Sequence, residues 1–372
     1  MNISHVINAI ESYAPRSFQE KWDNSGLQIA LPAGETECTG VLLCLDVNED
    51  IVAEAAARGC NLIVSHHPLI FKGFRNLTGS TVQQRAAIAA VRAGIAVYSA
   101  HTSLDSTPGG VSYAMASLLG AEVTGVLEPA EGLECVLSVI CPRDAADDVR
   151  LAMLDRDAGA PLCAANISGD TDTARCASTD NIGYELPRTG LSPFPEIIHK
   201  PLCRVEATVP AARVQAVLDA VRSVPGASGA TFGISSVPAS QSVGLGVFAI
   251  LPEAITGAEL VERIREKFGC KTMRASGAYS PDMKIRRLAL CGGSGGEFIG
   301  NAINAGVDAY ITADVRYHDF ADIAKASCAV FDIGHFESES CAKSIFYHVI
   351  TKKFPNFAVY YSEKETNPVQ YL

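Results

Sequence analysis

The run Val41-Leu42-Leu43-Cys44-Leu45 holds no polar residue, and this narrows the fold more than any other feature of the chain. A strand apolar on both faces has to be covered on both, which points to an α/β arrangement rather than a solvent-facing antiparallel sheet. We read the strand over 39–47, with Asn48 capping a helix over 49–58 and Gly59 ending it. A strand over 61–65, a helix over 82–93, a strand over 95–100 and a helix over 111–119 follow. Strands and helices alternating in this rhythm imply right-handed crossovers and a mainly parallel sheet.

A second series repeats the scheme. Strands are expected over 285–291, 307–312 and 328–333, with helices over 297–305, 317–326 and 337–353. Ahead of them, 242–251 reads as a strand, and Thr256-Gly257-Ala258-Glu259 is a capping box that opens another helix. The middle of the chain differs. The strand 135–142 ends on Pro142 and runs into a helix with Val149 and Ala152 inward. The strand 203–210 ends on Pro210 and runs into a helix with Val217 and Ala220 at the same offsets. This internal repeat, with a further strand over 229–237, suggests an inserted ferredoxin-like α+β domain. Residues 166–196, rich in Asp, Thr, Gly and Pro, read as loop and hairpin. The expected architecture is α/β, with mainly parallel sheets and flanking helices in two similar halves. These are residues 1–127 and 241–372, interrupted by an inserted domain over 128–240.

Composition excludes several classes. The chain of 372 residues has 48% hydrophobic and 19% charged residues, as expected for a packed globular protein. Its net charge of −11 is spread without a block of Lys or Arg, which disfavours a nucleic-acid surface. Ile3, Val6, Ile7 and Ile10 recur at helical spacing, so the N-terminus reads as an amphipathic helix and not a signal peptide. No apolar run approaches the ~20 residues that span a bilayer. Twelve cysteines lie scattered without a Cys-x-x-Cys pair and read as reduced, buried residues, so a cytoplasmic location is expected.

Polar clusters stand where apolar strands stop: Ser65-His66-His67-Pro68, His101-Thr102-Ser103-Leu104-Asp105 and Gly334-His335-Phe336-Glu337-Ser338-Glu339. Open α/β sheets bind ligands outside the carboxyl ends of their strands. Taken singly, each histidine could be a hydrogen-bonded structural residue; three clusters at equivalent strand ends point to one site. His335 and Glu339 are four apart, so one helical turn puts them on one face. Pro68 marks an extended exit from the strand, which lets adjacent His66 and His67 reach a common centre once regular pleating ends. Five ligands, His66, His67, Asp105, His335 and Glu339, exceed what a single catalytic tetrahedral zinc uses. They suit two divalent ions roughly 3.5–4 Å apart, with Glu339 as the bridging candidate. Imidazole and carboxylate donors without thiolate suit Zn, Fe, Mn or Co.

Other residues take lesser places in this reading. His101 is read as a partner of the ligands and not as one of them. Asp314 and His318 are candidate general acid/base groups or supports of the ligands, with a simple helix cap an equal alternative for Asp314. Trp22-Asp23-Asn24-Ser25-Gly26-Leu27 reads as a turn entering a strand. A rival lies in Cys291-Gly292-Gly293-Ser294-Gly295-Gly296, which contains the Gly-x-Ser-x-Gly of a nucleophile elbow, with Asp314 or Asp332 and His335 downstream. A glycine turn that lets another group approach closely ranks above it, because an esterase leaves His66, His67 and Asp105 idle.

These motifs, together with Tyr310-Ile311-Thr312-Ala313-Asp314, resemble the NIF-three-like dinuclear metal-centre hexameric proteins, often labelled GTP cyclohydrolase I type 2 homologues. The resemblance spans nearly the whole chain. It carries the family's metal ligands onto His66, His67, Asp105, His335 and Glu339. Longer members have an insert similar to the PII/CutA fold, which the 135–237 module resembles. Ala313 departs from the family's more usual Gly. The resemblance implies a hexameric ring with metal sites facing an internal cavity. The function expected is metal-dependent hydrolysis of a small phosphorylated or nucleotide-like substrate, with metal-activated water as nucleophile. The alternative is a non-catalytic metal-binding, regulatory hexamer that senses a small molecule through the inserted domain.

Overall fold

The computed structural model describes residues 1–31, 37–154, 174–179, 184–185, 197–198, 202–227, 229–236 and 242–371. The chain divides into two compact units: Met1–Ala130 with Ser240–Leu372, and Glu131–Ala239.

The larger unit contains two sheets. In the first, the strands run in the order Gly26–Ile29, Ala96–Ser99, Leu62–Ser65, Val41–Cys44, Val359–Tyr361. All pair in parallel except Gly26–Ile29. Val41–Cys44, Leu62–Ser65 and Ala96–Ser99 are buried at every position, as their unbroken apolar sequences require. One side packs on the helices Glu49–Ala57 and Val82–Ala93 through Ile51, Ala55, Ala86 and Ala90. Asn48 Oδ1 accepts from Ile51 N at 3.0 Å, the cap expected from sequence. On the other side, Leu43, Leu62, Val64 and Tyr98 share one core with Val247, Leu288, Ile311 and Phe331 of the second sheet.

That second sheet runs Arg274–Ala275, Ala329–Asp332, Ala309–Ala313, Lys284–Ser294, Gly244–Thr256, Glu122–Pro129. It is mixed rather than mainly parallel. Only the Lys284–Ser294, Ala309–Ala313 and Ala329–Asp332 pairings are parallel. The reason lies at the insertion: Glu122–Pro129 leads out and Gly244–Thr256 leads back, pairing antiparallel from Gly244 with Pro129 onward. Antiparallel neighbours need no crossover helix, so the strand–helix rhythm does not reveal them. The halves also differ from the expected pair of similar segments, because the late strand Val359–Tyr361 joins the first sheet beside Val41–Cys44. The helix expected over 337–353 is two helices, His335–Glu339 and Ala342–Lys353. At the break, Ser340 Oγ donates back to Phe336 O at 2.6 Å, a bond that competes with regular helix. The Thr256–Glu259 capping box is present.

In the smaller unit, a four-stranded antiparallel sheet runs Thr231–Ser236, Glu134–Pro142, Leu202–Pro210, Ala174–Thr179. Helices Ala146–Leu154 and Val214–Arg222 supply Val149 and Val217 to its core, at the equivalent positions of the internal repeat. Of the segment 166–196, Ala174–Thr179 and Tyr184–Glu185 are strands, and the rest lies outside the described residues. Among the described residues, no helix is long and apolar enough to cross a membrane.

Candidate metal centre

Strand ends from both sheets converge on one cluster. After Leu62–Ser65, Ser65 Oγ donates to His67 O at 2.8 Å, a short side-chain turn that ends the pleat before Pro68. Both adjacent imidazoles therefore turn the same way, with ring centroids 5.1 Å apart. Asp105 closes the short helix Thr102–Asp105, whose start is tied down by Asp23: its Oδ2 accepts from Thr102 N at 3.1 Å and Thr102 Oγ1 at 2.6 Å. His335 and Glu339 sit one turn apart on His335–Glu339. All five residues expected as ligands come together here. Ligand atoms of His66, Asp105 and Glu339 lie within 4.8 Å of one another, as do those of His67, His335 and Glu339.

Glu339 is shared between the two groups, and its oxygens divide the work. Oε1 lies 3.7 Å from His66 Nε2, which in turn lies 3.6 Å from Asp105 Oδ1. Oε2 lies 2.8 Å from His67 Nε2 and 3.0 Å from His335 Nε2. His66 Nε2 and Asp105 Oδ1 are buried and have no hydrogen-bond partner. Separations of 3.6–3.7 Å are too long for hydrogen bonds. They fit donors arranged around one ion at metal–ligand distances of about 2.0–2.2 Å. The residues present thus fit a metal on the chain's own geometry.

Each histidine is turned to present Nε2 by an acceptor on Nδ1. His66 Nδ1 donates to Ala100 O at 3.0 Å, His67 Nδ1 to Asp46 Oδ1 at 2.9 Å, and His335 Nδ1 to Asp314 Oδ2 at 2.7 Å. Such outer partners fix the tautomer and the ring angle of a metal-binding histidine. Burial alone would lower His67, but hydrogen bonds to Asp46 and Glu339 outweigh it and raise it to about 10. His335 is raised to about 11 in the same way, by Asp314 and Glu339 against burial. Burial, reinforced by the nearby Glu339 and only partly offset by His66, pushes Asp105 up to about 7. Burial would raise Glu339 too, yet the facing imidazoles hold it well below the usual carboxylate range.

The supporting residues stand around this cluster. His101 stands beside the ligands, and its ligand atom lies within 4.8 Å of those of His66 and His67. Its Nδ1 donates to the buried Asp23 Oδ1 at 2.8 Å, which leaves Nε2 as the remaining nitrogen. Trp22 packs edge-on against that ring. Asp314 carries a positive φ of 55°, a conformation Asp tolerates better than most residues, and from there it reaches His335 rather than capping a helix. Asp314→Asn should therefore weaken metal affinity roughly 10–100-fold, measurable by chelator competition, with little loss of folding. His318 is exposed on Tyr317–Asp322 with its ring against Tyr317, and it belongs to none of the three ligand groups. Sequence reasoning missed Asp46, although it is the first polar residue after the apolar run, the same signal that marks His66 and His101.

The glycine loop is a cradle, not an elbow. Gly293 has φ 63°, and a Cβ there would lie 2.1 Å from Glu339 Oε1. Its N–H donates to Ser338 Oγ at 3.0 Å. Ser294 is exposed and makes no hydrogen bond to His335. Beside the cluster opens a cavity of about 470 Å³, bordered by Asp46, His67, Asp314 and His335.

Residues 1–368 match the family Duf34/NIF3 (NGG1p interacting factor 3). A Bacillus subtilis (strain 168) protein named GTP cyclohydrolase 1 type 2 homolog is 28% identical, over 100% of this chain and 99% of its own. A Mycobacterium leprae (strain TN) protein of the same name is 30% identical, over 91% of this chain and 86% of its own. The crystal structure of a Bacillus cereus protein related to NIF3 superposes with a TM-score of 0.75 at 26% identity, covering 100% of this chain and 99% of that one. A Staphylococcus aureus crystal structure shares the fold, with a TM-score of 0.78 at 23% identity and coverage of 100% and 99%. This chain, with its imidazole–carboxylate cluster at the strand ends, belongs to the Duf34/NIF3 family.

Proposed function

We propose that the cluster holds two divalent ions and that the chain hydrolyses a small phosphorylated or nucleotide-like substrate. The observation that carries this is the division of Glu339: Oε1 turns to His66 and Asp105, and Oε2 to His67 and His335. One ion would be held by each group, with Glu339 spanning both. The donors suit Zn, Fe, Mn or Co. When bound, such ions supply a polarised water as nucleophile and draw negative charge at the reacting oxygens. Two divalent cations would offset the charges of Asp105, Glu339, Asp46 and Asp314, and so let an anionic substrate approach in a chain of net charge −11.

The protein's own contribution is orientation. Asp46, Asp314 and the Ala100 carbonyl hold three imidazoles by Nδ1. His101, fixed by Asp23, keeps its other nitrogen beside the centre, where it can take or give a proton. Hydrogen bonds to Asp46, Asp314 and Glu339 raise His67 and His335 above the ordinary imidazole range, so protons compete with metal for these nitrogens. Calorimetry in buffers of different ionisation heat should show proton release on loading, and weaker binding as pH falls.

The smaller unit enters the same reading. Numbered along the chain, its strands lie in the order 4-1-3-2 with each neighbour antiparallel, which supports a ferredoxin-like assignment; the PII/CutA-like relation and the hexameric ring rest on the sequence resemblance alone. Because this unit has its own core, a non-catalytic assembly sensing a small molecule is the second reading. Metal-loaded protein screened against nucleotides and phosphoesters separates the two. Turnover that needs metal and vanishes in Glu339→Gln supports the hydrolase; ligand binding without turnover by any metal form supports the sensor.

A further inference from the structure

Two large aromatic rings stand in solvent beside the centre without a part in holding metal. Trp22 is 58% exposed and Phe71 43%. Their ring centroids lie 6.0 Å apart, and each packs edge-on against His101, at 6.1 and 6.3 Å. His101 is the ring whose ligand atom lies within 4.8 Å of those of His66 and His67. The two aromatics thus stand one ring away from the cluster, and neither borders the cavity beside His335. Their loops are tied to each other: Asn24 Nδ2 donates to Ile70 O at 2.6 Å, and Ile70 N to Gln28 Oε1 at 3.2 Å. Asp23, next to Trp22, accepts from both His101 Nδ1 and Thr102 Oγ1. A single exposed apolar side chain is ordinary, whereas adjacent exposed aromatics at the edge of a polar cluster mark a ligand site. Because the loops are already ordered, binding does not bear the entropy of arranging them. An exposed lysine adjoins each ring in sequence, Lys21 before Trp22 and Lys72 after Phe71, which favours a ligand that carries negative charge.

We propose that Trp22 and Phe71 form an aromatic clamp for the ring of an aryl phosphate at the His101 side of the centre. The ring of the ligand packs on the pair as a further aromatic partner, and its phosphate lies toward His66 and His67. Phe71 has no polar group and Trp22 only an indole N–H, so the clamp selects a flat aromatic ring and reads no particular base. The placing of the phosphate rests on the hydrolase reading; the recognition of the ring does not.

The probes are phenyl phosphate and cyclohexyl phosphate, which carry the same anion on carbon rings of equal size, one flat and aromatic and the other puckered. Both are titrated by calorimetry into the full-length, metal-loaded protein, and bound metal is measured in every sample. The wild type should bind phenyl phosphate at least about five-fold more tightly, the effect of one or two aromatic contacts. Trp22 is the only tryptophan in the chain, so its emission reports on the clamp directly. Phenyl phosphate should change that emission saturably, with the same midpoint as the calorimetry. Phe71→Leu should bring the preference to within about two-fold. Equal affinity for the two probes in the wild type, or no binding of either, overturns the proposal without recourse to a variant. A preference that leaves Trp22 emission unchanged, or that persists in full in a folded Phe71→Leu protein, overturns it as well. Preference for phenyl phosphate, with the change in Trp22 emission, in protein that retains no metal supports the clamp and counts against the metal reading alone.

Discussion

Glu339→Gln should bring metal content from about two ions per chain to well below one, and abolish any metal-dependent turnover. Loss of a partner that only supports a ligand costs roughly 10–100-fold in affinity. Glu339 is a donor to both groups, so its removal costs more, and at both positions together. Glutamine preserves the volume but has one oxygen, so its amide nitrogen must face either His66 and Asp105 or His67 and His335. No rotamer serves both. The metal-free variant should also titrate differently, because Glu339 helps to raise His67 and His335, and both should fall toward ordinary histidine values. Elemental analysis after dialysis, with NMR titration of the imidazoles, reads the two effects separately. Metal content at the wild-type level in this variant would remove Glu339 from the site.

Gly293→Ala should be nearly as damaging, although the residue offers no ligand. Its φ of 63° costs an alanine roughly 1–2 kcal/mol, and its Cβ would stand 2.1 Å from Glu339 Oε1. Glu339 is buried and flanked by four donors, so it has nowhere to retreat without leaving one group. The expected result is a fall in metal affinity of at least about a hundred-fold, the upper end of what supporting residues cost. The melting temperature of the metal-free protein should drop by roughly 2–8 °C. Ser294→Ala, one residue on, should change neither, because Ser294 is exposed and its hydroxyl bonds to no histidine. Equal damage from both variants would mean that the loop acts through folding in general rather than through Glu339.

Much of this site is legible in the sequence because of how buried parallel strands are written. Strands covered on both faces are apolar throughout, so the first polar residues after them mark the sheet's carboxyl edge, and His66, His67 and His335 stand there. The step from His335 to Glu339 is one helical turn, and the helix is present. His318, a candidate acid/base or supporting group by sequence, is exposed on Tyr317–Asp322, and Asp314 sits at positive φ before that helix begins, so the two share no helical face. The partner of His101 is not legible in the sequence, because it is tertiary: Asp23, distant in the chain, both starts the turn that carries Asp105 and holds the His101 ring near His66 and His67. The cavity was invisible for a similar reason. Asn367 and Tyr371 reach it because Val359–Tyr361 pairs with the first sheet, and Glu365 then ties the following segment to the backbone of Leu45 and Asp46. No local pattern announces such a return.

The central claim is that two ions share one carboxylate, and anomalous diffraction from crystals of protein reloaded with a single divalent metal tests it most directly. The prediction is two peaks per chain, one among His66, Asp105 and Glu339 and the other among His67, His335 and Glu339. A single peak, or two peaks that do not share Glu339, would contradict it.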